Sequence, residues 1–80
     1  IAAWVLHQAN IRIIDAAVDE FKLDRDRLVV NVDRMGNTSA ASVPIALHDA
    51  LQAGKIRSDD YVMLCGFGAG LTWATSIMRW

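Results

Sequence analysis

Trp4-Val5-Leu6-His7-Gln8-Ala9-Asn10-Ile11-Arg12-Ile13-Ile14 changes its hydrophobic period in the middle, and that change decides the architecture. Ala3 to Leu6 is a short apolar run ending in the polar cluster His7 to Asn10, which suits a buried strand whose end opens into a loop. Beyond it the spacing is helical. Ile14, Ala17, Val18 and Phe21 fall at i, i+3, i+4 and i+7, so an amphipathic helix is expected from about Asn10 to Phe21, with Asp15, Asp19 and Lys22 outward. Its start lies beside His7.

Working outward, Leu23 to Arg27 alternates charge and reads as a solvated connection, after which Leu28-Val29-Val30 gives a second buried strand. Asn31 to Asn37, with Gly36, is expected to be a polar loop. Val43, Ala46, Leu47, Ala50 and Leu51 repeat the helical spacing, and Gly54 supplies a C-terminal cap. Pro44 lacks an N–H and belongs in a first turn, which favours Ser42 or Thr38 as the N-cap. Ser58 to Asp60 makes a turn, Tyr61 to Cys65 a strand running into Gly66-Phe67-Gly68-Ala69-Gly70, and Leu71 to Trp80 a last strand. The expected order is β-α-β-α-β-β. It predicts a layered α/β fold with a mixed sheet whose final two strands form an antiparallel hairpin.

The 80 residues are 54% hydrophobic and only 21% charged, more apolar than a free-standing domain of this size needs. The surplus asks for a partner surface. With a start at Ile1, it predicts that residues 1–80 are a fragment, or one piece of a larger fold. A net charge of -1 without runs of like charge argues against a nucleic-acid or anionic-membrane partner. The apolar stretch Ile1 to Leu6 is far shorter than the roughly 20 residues of a membrane span. A soluble, cytoplasmic protein is expected, and the single Cys65 excludes an internal disulfide framework or a thiolate metal cluster.

Three clusters each follow an apolar run: His7 to Asn10, Gly36 to Ser39, and Gly66 to Gly70. In α/β sheets such loops converge beyond the carboxyl ends of the strands. Taken singly, each has an ordinary reading. His7 could be a core histidine satisfied by backbone, Asn37 after Gly36 a turn residue, and the glycine-rich stretch a tight hairpin. A nucleotide-binding reading of that stretch fails, because the spacing is G-x-G-x-G and no helix follows it. Cys65, at the end of an apolar strand, reads as inert packing.

In combination, three blocks give a sharper reading: Trp4 to Ile14 as quoted, then Gly36-Asn37-Thr38-Ser39-Ala40-Ala41-Ser42-Val43-Pro44, then Gly66-Phe67-Gly68-Ala69-Gly70-Leu71-Thr72-Trp73. Together they resemble the C-terminal part of the 3-oxoacyl-(acyl-carrier-protein) synthase III family, in the thiolase-like condensing-enzyme superfamily. Departures are small: Leu6 stands where many members have proline, and Ala69 where some have glycine. The resemblance implies an initiating condensing enzyme of fatty-acid synthesis. It moves an acyl group from coenzyme A to a cysteine, then decarboxylates malonyl-(acyl-carrier protein) and lets the carbanion attack the acyl-cysteine.

His7 and Asn37 match the family's catalytic histidine and asparagine. Loss of carbon dioxide pushes negative charge onto the thioester oxygen, and imidazole and amide N–H groups are suitable donors to it. Removing one such donor typically raises the barrier by about 3 kcal/mol, a hundredfold or more in rate. The resemblance further gives the Ala69 N–H to a second oxyanion hole and sets Gln8, Ala9, Asn10, Arg12, Ile13 and Phe67 on the substrate and carrier-protein side. For Arg12 a solvated helix arginine stands equally beside a carrier-protein contact. The family's nucleophile lies in the preceding half, at a helix N-terminus that lowers its pKa. The resemblance also implies a homodimer, no metal, and no cofactor, coenzyme A entering as a thioester substrate. Two alternatives stay open: a related synthase using coenzyme A thioesters throughout, and a non-catalytic module of the same fold.

Overall fold

The computed structural model describes residues 1–68 and 72–80. Its centre is a mixed sheet in the order β1 (Ala3–Leu6), β2 (Tyr61–Gly68), β3 (Thr72–Arg79). β1 runs parallel to β2, from Ala3 opposite Val62 to Leu6 opposite Cys65. β3 returns antiparallel along the whole of β2, from Thr72 opposite Gly68 to Arg79 opposite Tyr61. A parallel pair cannot be closed by a tight turn, so the chain between β1 and β2 has to cross over. It does so through α1 (Ile11–Phe21), a short α2 (Val32–Met35) and α3 (Ser42–Gln52), with 3₁₀ turns at Arg25–Arg27 and Ser39–Ala41.

Alternation along the strands divides the core in two. Ala3, Val5 and Val62 point to one face, where α3 closes over them with Ala46 and Ala50, and Val29 and Ile56 complete the cluster. Alanines four residues apart let the helix lie close to the sheet. Leu6 points to the other face, where Ile14 and Val18 of α1 pack with Leu28. Burying one such isoleucine is worth about 1.5–3 kcal/mol.

Local chemistry fixes the helix ends. Asn10 Oδ1 accepts the Ile13 N–H at 3.0 Å, which caps α1. α3 ends as expected at Gly54, with φ at 73°. The Gly54 and Lys55 N–H groups reach back to the carbonyls of Leu51 and Ala50, at 3.1 and 2.9 Å.

The expected order of elements holds, with differences in extent. The second strand shrinks to a single parallel bridge, Leu28 beside Trp4, and Val30 is exposed. Part of the expected loop 31–37 is helical, because the Asn31 carbonyl accepts the N–H groups of Arg34 and Met35. Phe21 was expected on the core face of α1, yet it is 71% exposed at the helix end.

Candidate active site

His7 follows β1 directly, and its N–H donates to the Cys65 carbonyl at 2.8 Å, carrying the parallel ladder one residue past the strand. This holds the backbone from which the imidazole projects. The ring meets Phe67 edge to face, with centroids 5.0 Å apart and planes at 75°. Among the described residues, no hydrogen bond engages the ring nitrogens.

Asn37 is aimed by the turn that carries it. α2 stops at Gly36, whose N–H donates to the Val32 carbonyl at 2.9 Å and whose φ of 67° with ψ of -166° is a conformation open essentially to glycine. One residue on, Asn37 Oδ1 accepts the Ser39 N–H at 2.9 Å, an Asx turn. With its oxygen so engaged, the carboxamide keeps its amide N–H groups as donors that no described residue accepts.

His7 and Asn37 line the same cleft of about 370 Å³, together with Ser39, Ala40, Val43, Gly66, Phe67 and Gly68. The carboxyl ends of β1 and β2 and the loop before α3 therefore converge. Among the described residues no carboxylate lines the cleft that would repel negative charge on a bound oxygen.

The other expected site residues divide. Phe67 lines the cleft. Ala69 lies outside the described residues. Gln8, expected on the substrate side, is only 1% exposed, and its side chain bonds to the backbone of Leu6, Val29, Asn31 and Val32. Ala9, Asn10, Arg12 and Ile13 stand at the start of α1 and are not among the cleft's lining; Asn10 serves as the helix cap. Cys65 lines a different, larger cavity of about 830 Å³ on the α1 face, and its sulfur accepts from Thr75 Oγ1 at 3.7 Å.

Sequence reasoning named no individual site role for Ser39, Ala40 or Val43, although the Asn-x-Ser pattern at residues 37–39 is a recognisable Asx-turn signal. It also missed a half-buried polar group joining α2 to α3. Asn31 Nδ2 donates to Asp49 Oδ2 at 2.8 Å, and Arg34 meets the same oxygen at 3.2 Å. The Asn31 hydrogen bond, then the Arg34 charge, hold the Asp49 carboxyl below its ordinary value against the opposing effect of burial.

A three-layer segment with this cleft has the layered architecture of solved thiolase-like condensing enzymes. Beta-ketoacyl-(acyl carrier protein) synthase III of Thermus thermophilus superposes with a TM-score of 0.95 at 56% identity, over all of this chain and 25% of that one. Acetamide-bound OleA of Xanthomonas campestris gives 0.93 at 29% identity, over all of this chain and 25% of its own. Among curated relatives, the beta-ketoacyl-(acyl-carrier-protein) synthase III of Rhodopirellula baltica is 54% identical over 95% of this chain and 22% of its own length. The family model described as 3-oxoacyl-(acyl-carrier-protein (ACP)) synthase III C terminal matches residues 1–80, and the chain belongs to that family. It spans about a quarter of the length of the relatives it matches.

Proposed function

We propose that this chain works as the C-terminal quarter of an initiating condensing enzyme of fatty-acid synthesis, where it supplies the two side chains that stabilise the malonyl-derived enolate. The observation that carries the reading is the shared cleft of His7 and Asn37, one a ring with no hydrogen bond among the described residues and the other an amide with its oxygen already engaged. In the proposed step the bond between C2 and the carboxylate of malonyl-(acyl-carrier protein) breaks, carbon dioxide leaves, and the electron pair moves onto the thioester oxygen. The imidazole and amide N–H groups donate to that oxygen. The enolate carbon then attacks the acyl-cysteine carbonyl. The tetrahedral oxyanion is received by the backbone N–H of residue 69, and collapse expels the cysteine thiolate.

That cysteine is supplied from outside this segment, since Cys65 lies off the cleft. Acyl-coenzyme A and malonyl-(acyl-carrier protein) are the proposed substrates, with coenzyme A entering only as a thioester. The chemistry needs no further cofactor or metal. A cytoplasmic homodimer is the proposed setting, and no helix among the described residues is long and apolar enough to cross a membrane.

Asn37→Asp in the complete enzyme tests the donor role. A carboxylate in place of the amide should lower malonyl decarboxylation by about a hundredfold or more while acyl transfer from coenzyme A to the cysteine falls far less. Half-reaction rates reduced by the same factor would refute it.

A further inference from the structure

The Gln8 side chain makes four hydrogen bonds, and they have a pattern. Nε2 donates to the carbonyls of Leu6 at 2.9 Å and Val29 at 3.1 Å. Oε1 accepts the N–H groups of Asn31 at 2.9 Å and Val32 at 3.2 Å. A carboxamide has two donors and two lone pairs, so its capacity is used in full. Its own backbone N–H donates to Ser42 Oγ at 2.6 Å.

The partners are placed around the two cleft residues. Leu6 precedes His7, and Gln8 follows it. Asn31 and Val32 open α2, which runs directly into Gly36 and Asn37. Ser42 begins α3, three residues beyond the Ser39 whose N–H holds Asn37 Oδ1. The segment 31–42 is thus pinned at both ends to residue 8, with Asn37 between the pins. Ser42, expected as a helix cap, is instead the first residue of α3 in helical conformation, and its hydroxyl oxygen receives the Gln8 N–H.

We infer that Gln8 is a positioning residue that sets the spacing between the His7 imidazole and the Asn37 amide. The inference rests on reading those two groups as paired donors to one oxygen. Replacements lack the required capacity: a carboxylate at residue 8 would turn two acceptors onto the Leu6 and Val29 carbonyls, and an aliphatic side chain would strand four backbone groups.

The test measures both half-reactions in the complete enzyme carrying Gln8→Leu and, separately, Ser42→Ala. A displacement of about 1 Å at a two-donor site can lower the rate on the order of a hundredfold. Gln8→Leu should therefore lower kcat of malonyl decarboxylation by about that factor with KM for the malonyl substrate little changed, and acyl transfer to the cysteine should fall much less. Ser42→Ala removes one pin without touching the carboxamide and should show the same selectivity at about tenfold. Should Gln8→Leu fail to fold, Ser42→Ala decides the question alone.

Asn37→Asp serves as the internal reference. If it is selective for decarboxylation while the Gln8 and Ser42 variants depress both half-reactions by one common factor, the positioning role is overturned and the donor reading stands. If Asn37→Asp itself shows no selectivity, the donor reading fails, and the positioning role with it. Non-additivity supplies the remaining check. Asn37→Ala should cost little more in the Gln8→Leu background than Gln8→Leu alone, because a displaced donor has little left to lose.

Discussion

The two faces of the sheet are finished to different degrees. Under α3 the cover over β1 and the start of β2 is tight: Val5, Val62, Ala46 and Ala50 are all wholly buried, and the polar groups beside them are paired. Under α1 the cover stops at the β1 side. Beyond it Met63, Cys65 and Trp73 open onto the larger cavity, Trp73 is 71% exposed, and Ile77 on the same face of β3 is 58% exposed. Much of the exposed apolar surface, Ile1, Phe21, Trp73 and Ile77 among it, therefore lies on the α1 side. The closed face supplies the rigidity on which the cleft is built, while the open face is the kind of surface that a longer polypeptide covers. Phe67 stands at the boundary, lining both cavities.

Aspartate substitutions on β2 and β3 put this contrast to its severest test. Val62→Asp buries a carboxylate with no partner and should cost more than about 4 kcal/mol, enough to abolish cooperative urea unfolding of the 80-residue chain. Ile77→Asp places the same group where solvent reaches it and should shift the midpoint by no more than about 0.5 kcal/mol while improving solubility. Equal losses would show that the faces do not differ. A smaller effect sharpens the contrast. Ala46→Leu overpacks the α3 face and should destabilise by about 1–3 kcal/mol, whereas Ala17→Leu, beside the larger cavity, should be neutral or stabilising.

The elements that sequence made legible are those governed by a local period or a single turn residue. The α1 stripe of Ile14 and Val18, the Gly54 stop, and the β2–β3 hairpin all follow from neighbours close in the chain. The cleft pair was legible for another reason: two motifs, at His7 and Asn37, sit at the ends of adjacent elements. What stayed hidden depends on contacts across 21 to 34 residues. Nothing in a local pattern distinguishes a Gln8 that faces a ligand from one that bonds the backbone of Val29 and Asn31 and donates its N–H to Ser42. The strand expected at Leu28 to Val30 failed for a related cause. Its apolar content serves both core clusters, Val29 one and Leu28 the other, while the turn onto the Gln8 carboxamide at Asn31 ends the ladder after one bridge.

Acid titration distinguishes the faces by their polar groups, with the smallest expected effect. On the α3 side, Asn31 donates to Asp49 and Arg34 faces it, so the folded carboxyl titrates below its ordinary value of 3.8. The exposed His48 on the same helix adds a weaker contribution in the same direction. A lowered folded pKa means that the unfolded chain takes up its proton first. The stabilisation is therefore present in full above the ordinary aspartate value and is lost as pH falls below it, through the folded value. Asp49→Asn should flatten the acid limb of a stability–pH curve below about pH 4 and leave a constant offset at neutral pH. Because Asn31 also hands its backbone N–H to Gln8, the same acidification should loosen the α2 anchor before the α1 packing, and amide exchange at Asn31 and Val32 should rise ahead of that at Val18. Simultaneous exchange would mean that the polar group joining α2 to α3 has no stability of its own apart from the hydrophobic layers.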